Sequence, residues 1–389
     1  MRIVIIGGGV MGLATAWQLS RCGERPIVLE RFARGHHEGA SHGETRNYNN
    51  AYAEAHYLDL LALAREGWDA LGDVDGEPLL RRHGLVSHGP GAALGAAPAD
   101  AAWPGADVGA GARGALTGIA ARLAERGIPT ELLTGAEAAR RWPGMRFDDV
   151  VLHSPDAGVA RAAAALRELE RRVVAAGGEV RWNTRVRGLS PDADGVDVVM
   201  DAGTLRADVA VVTAGAWTTG LIGAGAGTGA GAGPGIPLPP LRVTEETPAH
   251  FAPTLPGPWP SFNHFVAPGT QPANVYGMPT PGEGVKVGFH GIGDEVDPDA
   301  RPHLPTRQRE LRDYVREWFP GLDPDSAVPI SCTYTTSPDE AFVLDRVGPV
   351  VIGAGFSGQG FKFAPGVGAT LAALALDPAA RAAPAFRLR

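Results

Sequence analysis

The 389-residue sequence has little cysteine: Cys22 and Cys332 are the only two. So few cysteines exclude a disulfide framework and a cysteine-ligated metal cluster, and they fit a reducing cytoplasm. Basic residues are not in excess, since the formal net charge is −8, and nucleic acid is a poor partner for such a chain. No apolar run has membrane-spanning length, and the first residues lack the features of a secretory signal. We therefore expect a cytoplasmic protein without nucleic-acid or membrane partners.

The composition that is present is typical of a globular protein. Hydrophobic residues make up 44% of the chain and charged residues 20%, which are ordinary proportions. A chain of this length can bury a sizeable core, and its length predicts two domains.

A glycine-rich turn follows the first strand pattern. The apolar run 3–6 ends at Gly7, and a helical pattern follows Gly12, so that Gly7, Gly9 and Gly12 have the G-x-G-x-x-G spacing. Gly7 allows a tight turn, Gly9 lets the backbone approach a pyrophosphate, and Gly12 lets the helix pack closely on the strand. The helix N-terminus offers unpaired N–H groups to phosphates. Glu30, which ends the second apolar run, suits a ribose hydroxyl pair. The pattern predicts a dinucleotide site, with FAD and NAD both open, and the alternative is a glycine turn in another α/β protein.

The remaining patterns predict a chain of alternating helices and strands. Helical periodicity occurs at 57–68, 134–141 and 161–176 and from Pro365 to Leu376, and strand patterns occur at 84–87, 179–182, 196–200, 209–212, 285–290 and 348–352. Residues 35–50 are expected to form a loop. The stretch 89–115 reads as variable surface, and the Gly/Ala segment 223–235 reads as a flexible insertion.

Several further motifs occur in order along the chain. They are Ser41–Arg46, Arg141–Gly144, Ala214–Trp217, Val285–His290, Cys332–Thr335, Pro338–Glu340 and Gly355–Phe363. Together with the glycine turn, this combination resembles the monomeric sarcosine oxidase and N-methyltryptophan oxidase family of D-amino-acid-oxidase-like flavoproteins. The resemblance covers nearly the whole length and is weakest at 89–130 and 219–275. It implies that the cofactor is FAD.

The resemblance also implies a fold and a domain division. The fold class is α/β, with a Rossmann-like FAD-binding domain and a second substrate domain built on a mixed β-sheet. The discontinuous FAD-binding domain would comprise 1–82, 151–218 and 326–389, and the substrate domain 83–150 and 219–325.

The resemblance assigns roles to three residues that carry chemistry. Cys332 matches the cysteine that bonds covalently to the flavin, whereas alone it would be read as a small buried residue. Lys286 matches the lysine that speeds the reaction with oxygen, because a fixed cation beside a forming superoxide lowers the barrier. Lys362 matches the lysine that binds the substrate carboxylate, and the alternative is that it extends to solvent.

Other positions match residues near the flavin ring and the substrate. Arg46 matches an arginine beside the ring, where a cation favours the anionic reduced flavin. Tyr276, His290 and Tyr334 resemble residues that line the substrate pocket. The alternative for each is a core residue whose polar end has a hydrogen-bond partner within the protein. The other residues expected to contact the cofactor are Val10, Met11, Arg31, Ser41, His42, Thr45, Val186, Gly215, Trp217, Gly355, Phe356, Gly358, Gly360, Phe361 and Lys362.

One position departs from the family pattern. The family has a second arginine three residues after the first, and this arginine clamps the substrate carboxylate together with the lysine. Here the position is Asn49. A charge-assisted contact becomes at best a neutral hydrogen bond, a loss of about 2–3 kcal/mol for a simple amino-acid carboxylate. We therefore expect a substrate other than sarcosine, one that is larger, lacks an α-carboxylate or presents a polar group to Asn49.

The function that this resemblance implies is oxidation of a secondary or cyclic amine, an amino-acid derivative, to an imine. Oxygen would be reduced to hydrogen peroxide, and the enzyme would act as a monomer on a small-molecule amine and O2. One alternative is a flavin dehydrogenase that passes its electrons to another acceptor, in a specialised biosynthetic pathway. A second alternative is a non-catalytic or NAD-binding Rossmann protein.

Overall fold

The structure is a computed structural model that describes residues 1–90, 112–223 and 233–389. Most of the stretch predicted as variable surface, 89–115, and most of the predicted insertion, 223–235, lie outside the described residues. No helix of the described chain is both long and apolar enough to cross a membrane.

Eight α-helices occur in these described ranges. They are α1 Val10–Arg21, α2 Ala55–Leu71, α3 Ala112–Glu125, α4 Gly135–Arg141, α5 Ala162–Ala175, α6 Thr218–Ile222, α7 Gln308–Trp318 and α8 Ala364–Leu376. The strands are β1 Ile3–Ile6, β2 Ile27–Leu29, β3 Thr45–Tyr48, β4 Asp73–Val74, β5 Glu77–Pro78, β6 Leu80–Arg81, β7 Leu85–Gly89, β8 Glu131–Thr134, β9 Val150–Ser154, β10 Gly158–Arg161, β11 Glu179–Arg181, β12 Val186–Asp192, β13 Gly195–Met200, β14 Gly203–Ala207, β15 Val209–Val212, β16 Arg242–Glu246, β17 Ala249–Phe251, β18 Ser261–His264, β19 Val275–Thr280, β20 Gly284–Phe289, β21 Asp294–Glu295, β22 Val328–Pro329, β23 Cys332–Thr336, β24 Val343–Val347 and β25 Val350–Ala354. Short 3-10 helices occur at Gly215–Trp217, Pro324–Ser326, Phe361–Phe363 and Pro384–Phe386.

A six-stranded sheet of order β11-β2-β1-β15-β25-β24 carries the glycine turn. Its first five strands pair in parallel, and β24 pairs antiparallel to β25. Strands β1, β15 and β25 are buried along their whole length, as continuous apolar strands covered on both faces must be. Helices α1, α5 and α8 pack together beside this sheet. Ligands of such sheets bind beyond the carboxyl ends of the strands, and this is where the turn after β1 lies.

An eight-stranded mixed sheet of order β22-β17-β20-β19-β18-β7-β9-β8 forms the second large layer. Most neighbours are antiparallel, and β18 runs parallel to β7. Buried aromatic residues of the sheet and of α7, among them Phe251, Phe262 and Tyr314, share one apolar cluster. The predicted α/β class, with a parallel dinucleotide-type sheet and a second mixed sheet, is confirmed.

Each helix and strand predicted from the local patterns has a counterpart in the structure. Helix α4 begins at the N-cap Thr134, whose hydroxyl accepts the Glu137 N–H while the Glu137 carboxylate accepts the Thr134 N–H. Such a reciprocal capping box fixes a helix start. The last strand is displaced from the predicted 348–352, because Gly348 with φ +55° makes the turn between β24 and β25.

The predicted loop 35–50 is wrong in its last part. Strand β3 lies there and pairs antiparallel with β10, so that Thr45 opposes Arg161. Its residues do not alternate between apolar and polar, so no strand pattern is visible in the sequence. The partner strand that supplies its hydrogen bonds lies more than a hundred residues away. Strand β9 crosses the predicted domain boundary at residue 150 and pairs with β7 and β8. The division into two domains stays a prediction.

Candidate active site

A cavity of about 1720 Å³ lies between the glycine turn and the larger sheet. Ordinary sites for small ligands measure about 300–1,000 Å³, so this cavity has room for a dinucleotide and a substrate. Of the residues predicted for the site, all but Gly12 and Thr45 line it. Those that do are Gly7, Gly9, Val10, Met11, Glu30, Arg31, Ser41, His42, Arg46, Asn49, Val186, Gly215, Trp217, Tyr276, Lys286, His290, Cys332, Tyr334, Gly355, Phe356, Gly358, Gly360, Phe361 and Lys362.

The glycines of the turn are required by close backbone approaches. Gly7 has φ +107°, and a Cβ atom there would fall 2.4 Å from the Thr213 carbonyl oxygen. A Cβ atom on Gly12 would fall 1.9 Å from the Gly7 carbonyl oxygen. Gly12 is therefore buried in the contact between α1 and the turn, which explains why it does not line the cavity. Side chains at these positions would open the packing that brings the N-terminus of α1 to the cavity.

Glu30 and Ser41 fix the polar groups around this helix N-terminus. The Glu30 carboxylate accepts the Gly8 N–H at 2.7 Å and the Phe32 N–H at 2.9 Å. The Ser41 hydroxyl accepts the Val10 N–H at 3.0 Å. A carboxylate thus stands at the end of β2 beside the phosphate cradle, which is the arrangement that a ribose needs.

One part of the cavity wall is tied to the loop after β21 by polar contacts of Asp299. The Arg31 guanidinium and the Trp217 indole N–H both reach the Asp299 carboxylate, at 2.5 and 2.6 Å. The guanidinium also lies 5.5 Å from the centre of the Trp217 ring. These contacts hold Arg31, Trp217 and Asp299 together on the cavity wall.

Lys286 lies deep in the cavity on β20 and is only 4% exposed. Its ammonium donates a hydrogen bond of 3.3 Å to the Thr45 carbonyl oxygen. Burial lowers the pKa of this ammonium to about 7, with a further contribution from the nearby Arg46 guanidinium. Thr45 itself is buried behind the wall, where its hydroxyl lies 2.7 Å from that of Thr280. Thr45 therefore contacts Lys286 rather than the cavity.

Arg46 is held rigidly by backbone carbonyls. Its guanidinium donates to Thr45 O at 2.9 Å, to Ala40 O at 2.8 Å and to His42 O. Burial, together with this cation, lowers the pKa of the His42 imidazole to about 4. The cavity wall in this region therefore carries one permanent positive charge and a neutral histidine.

Lys362 lies in the 3-10 helix before α8 and is 5% exposed. The ammonium donates to the Gln359 carbonyl oxygen at 2.8 Å and lies 5.4 Å from the centre of the Tyr52 ring. Burial lowers its pKa to about 7. Among the described residues no carboxylate forms an ion pair with Lys286 or Lys362, so each ammonium can receive an anion from a ligand.

Tyr276, His290 and Tyr334 form one aromatic group on the wall. The Tyr334 hydroxyl lies 3.4 Å from His290 Nδ1, and the Tyr276 ring meets the His290 ring edge to face at 6.2 Å. Burial, with a contribution from Lys362, lowers the pKa of His290 to about 3. Burial raises the pKa of both tyrosine hydroxyls. The group is uncharged at neutral pH and suits the apolar part of a substrate.

Cys332 and Asn49 complete the set of predicted side chains. Cys332 is a free, half-buried cysteine at the start of β23, and its thiol has only a weak contact of 3.8 Å with the Thr333 carbonyl oxygen. Asn49 is 9% exposed, and its side-chain oxygen accepts the Ala51 N–H at 2.9 Å. The asparagine therefore holds the local turn as well as facing the cavity.

His250, which lines the cavity, and Tyr52, which does not, were not predicted from the sequence. Tyr52 donates to Gln359 Oε1 at 2.8 Å beside Lys362, and His250 lies opposite Lys286 in the register of β17 and β20. One feature of the sequence points to the site directly: Lys286 and Lys362 are the only lysines in the chain. All other residues of the lysine and arginine pair are arginine, and both lysines occupy buried positions of one cavity.

A buried His88–Asp148–His264 cluster lies apart from this cavity. Asp148 Oδ2 lies 3.2 Å from His88 Nδ1 and 2.8 Å from His264 Nε2, and the far nitrogen of His264 lies 2.8 Å from the Tyr314 hydroxyl. The two imidazoles are stacked with centres 4.1 Å apart. An ion shared by stacked rings would lie outside both ring planes, so we interpret the cluster as a hydrogen-bonded core element.

The residues present fit a flavin dinucleotide. The glycine turn offers a backbone cradle that side chains would fill, Glu30 stands at the end of β2 beside it, and a free cysteine lines the same cavity. Arg46 and the buried ammonium of Lys286 bring positive charge to the same cavity, near enough to each other for Arg46 to contribute to the lowered pKa of Lys286. This combination of cradle, acid and cations is consistent with a phosphate-linked nucleotide at one end and an electron-accepting ring at the other.

Comparisons with known proteins agree with this geometry. A family model described as FAD dependent oxidoreductase matches residues 2–374. Human peroxisomal sarcosine oxidase is 33% identical over 387 residues, covering 96% of this chain and 91% of that protein. Monomeric sarcosine oxidase from Bacillus sp. is 30% identical over 389 residues, covering 96% and 92%. The open form of NikD, described as an unusual amino acid oxidase essential for nikkomycin biosynthesis, matches with a TM-score of 0.79 and 27% identity over 97% and 94% of the two chains. These matches confirm the resemblance predicted from the motifs.

Proposed function

Because the chain belongs to the FAD dependent oxidoreductase family, we propose that it is an amine oxidase that converts a secondary or cyclic amine to an imine. The amine is an N-methyl or imino derivative of an amino acid. The C–H bond next to nitrogen gives up a hydride equivalent, and the two electrons pass on to O2, which becomes hydrogen peroxide.

The observation that carries this proposal is the position of the two lysines. Lys286 and Lys362 are buried in the cavity that also contains the glycine cradle. Burial of an ammonium without a carboxylate partner is costly, and the anions of an oxidase reaction offset that cost. Lys362 suits a substrate carboxylate, and Lys286 suits the negative charge that develops on oxygen.

FAD would be held by the glycine turn, by Glu30 at the ribose and by Arg46 near the ring, and we propose a covalent bond through Cys332. When bound, FAD supplies the acceptor for the hydride equivalent. The protein contributes position and charge: it orients the substrate, excludes water from it and places fixed cations beside the reacting atoms.

The substrate would be oriented at two points. The Lys362 ammonium would bind a carboxylate, with Tyr52 and Gln359 holding the lysine in place. The uncharged wall of Tyr276, His290 and Tyr334 would pack against the amine-bearing part. An orientation fixed at both ends aims one C–H bond at the acceptor, and this positioning accounts for much of the rate.

The two sarcosine oxidase relatives make N-methyl amino acids the starting point for the substrate search, and Asn49 argues for a larger member of this class. A panel of N-methyl and cyclic amino acids should therefore be tested with the purified flavoprotein by peroxide release. We expect peroxide from at least one bulky member. Turnover that requires an artificial electron acceptor and releases no peroxide would favour the dehydrogenase alternative, and absence of bound flavin would contradict the proposal altogether.

The oxygen role of Lys286 has its own test. Lys286→Met should slow oxidation of the reduced protein by O2 far more than reduction by substrate, because only the oxygen step develops charge on O2. Stopped-flow measurement of the two half-reactions decides the matter, and equal slowing of both would remove Lys286 from this role. We further propose that the enzyme is a monomer in the cytoplasm, which sedimentation and cell fractionation would test.

A further inference from the structure

His250 and Glu283 lie near Lys286, the lysine for which we propose a role in the reaction with oxygen. His250 opposes Lys286 in the antiparallel register of β17 and β20, and directly opposed residues project to the same face with their Cβ atoms about 4.5–5.5 Å apart. Glu283 precedes β20 and lies three residues before Lys286. Both residues line the cavity, as Lys286 does.

The two side chains beside Lys286 differ in their access to solvent. Glu283 has a side chain that is 44% exposed, whereas that of His250 is 6% exposed. The Glu283 carboxylate lies 3.3 Å from His250 Nε2. That nitrogen has no aligned hydrogen bond within the described residues. It therefore lies beside the Glu283 carboxylate without forming a hydrogen bond to it. The Lys286 ammonium is near enough for its charge to contribute to the lowered pKa of this imidazole.

We propose that Glu283 and His250 form a proton route that restores the ammonium of Lys286 during oxygen reduction. This inference deepens the oxygen role of Lys286 and rests on the proposed function. His250 acts through Lys286 and is a positioning residue rather than a catalytic one.

Proton balance requires such a route. Reduction of O2 to hydrogen peroxide consumes two electrons and two protons. Both electrons and one proton come from the reduced cofactor, and the second proton comes from the protein. The Lys286 ammonium gives this proton to the hydroperoxide anion, so that an N–H bond breaks and an O–H bond forms. The neutral amine then takes a proton from one nitrogen of His250, while the other nitrogen takes one from solvent water held beside the Glu283 carboxylate, which leaves hydroxide to the bulk solvent.

The neutral state of the His250 imidazole suits a group that passes protons. Burial lowers the pKa of His250 to about 4, with further contributions from Lys286 and Arg46. A neutral imidazole can accept at one nitrogen and release at the other. The charged or titratable groups that face Lys286 are Arg46, Cys332, Glu283, Glu44 and His250. Of these, Glu283 and Glu44 are acids, and Glu283 is the one in contact with the histidine.

The first test measures proton delivery in the flavin-loaded enzyme. His250→Ala should slow the oxygen half-reaction about a hundredfold or more, the lower end of the range for lost acid–base assistance, and leave reduction by substrate unchanged. Added imidazole should restore the rate, and a solvent deuterium isotope effect should appear or grow. His56→Ala, at a half-buried histidine of α2 outside the cavity, is the matched control. A slow variant that imidazole does not rescue, or an unaltered oxygen step, overturns the route.

The second test needs no turnover. Because the chain has only two lysines, protein labelled with ¹³C at the lysine ε-carbon gives two NMR signals, which Lys286→Met assigns. Glu283→Gln should lower the pKa of Lys286 and leave that of Lys362 unchanged. Two unshifted titrations would show that Glu283 does not face Lys286 and would overturn the route. Failure of Lys286→Met to slow the oxygen step would instead contradict the proposed oxygen role, so the two failures are distinguishable.

Discussion

Tyr334 packs against Gly358 so closely that a Cβ atom on residue 358 would fall 2.2 Å from the tyrosine ring. Gly358 also has φ +74°. Gly358→Ala should therefore displace Tyr334 from His290 and add backbone strain of about 1–3 kcal/mol. We expect a lower melting temperature and a raised KM for the substrate, measured by thermal unfolding and steady-state kinetics.

A control for backbone strain alone is available at the turn between β24 and β25. Gly348 has φ +55°, and a Cβ atom on this residue would point into open space, with nothing beyond its chain neighbours within 4 Å. Gly348→Ala should cost stability without changing KM. If both variants raise KM equally, the contact between Gly358 and Tyr334 does not shape the substrate pocket.

Cys332 should carry the flavin covalently. Cys332 is a free, half-buried cysteine that lines the cavity, and Cys22 is exposed at the end of α1. After acid denaturation, the wild-type protein should retain its yellow colour and show the added mass of FAD. Under the same acid treatment, the Cys332→Ala variant should release all of its flavin, and the Cys22→Ala variant should release none. Flavin that washes free from a wild-type protein with unmodified Cys332 would refute the attachment.

The first βαβ unit could be predicted because its information is local. Gly7, Gly9 and Gly12 stand between a strand and a helix, and Glu30 ends the next strand, so spacing alone specifies the cradle. Strand β3 could not be predicted in this way. Its residues are polar, and its order comes from pairing with β10, which no short sequence window contains.

The same distinction between local and tertiary information applies to the residues of the site. Lys286, Lys362 and Cys332 stood out through family motifs, and the structure brings all three to one cavity. His250 had no motif, and only the register of β17 with β20 shows that it opposes Lys286. Thr45 was expected at the cofactor, yet its carbonyl oxygen holds Lys286 from behind the wall. Contacts of this kind depend on tertiary pairing and not on spacing.

The carboxylate affinity of the pocket should fall as pH rises. Burial lowers the pKa of the Lys362 ammonium to about 7, so the charged form that binds an anion is present below that pH and is lost above it. Propionate, which has no amine to titrate, isolates this effect when its binding is followed by the flavin spectrum. Its Kd should rise between pH 6 and pH 9.

Three controls identify the titrating group. Propionamide should bind independently of pH, and Lys362→Met should remove both the affinity for propionate and its pH dependence. Lys286→Met should keep the dependence, although the pKa of Lys286 also lies near 7. A dependence that survives in Lys362→Met would assign the titration to another group.

Asn49 should set the specificity of the enzyme. It replaces the second carboxylate-binding arginine that the family resemblance predicts, and it is nearly buried on the cavity wall. Asn49→Arg should supply a second cation beside Lys362, worth about 1–3 kcal/mol for a bound carboxylate. This energy corresponds to a gain of roughly five- to hundred-fold in kcat/KM for sarcosine and other small N-methyl amino acids.

The same substitution should harm the natural substrate, because a long cation would occupy space that the asparagine leaves open. It also removes the hydrogen bond from the Ala51 N–H to the Asn49 side chain, and Asn49→Asp keeps that acceptor while adding a charge of the opposite sign. We therefore expect kcat/KM for sarcosine to increase in the order Asp, Asn, Arg at position 49. The ranking separates charge from turn geometry, since a loss of the turn alone would impair Arg and spare Asp. Brisk turnover of sarcosine by the wild-type enzyme would show that Asn49 is not the determinant of specificity.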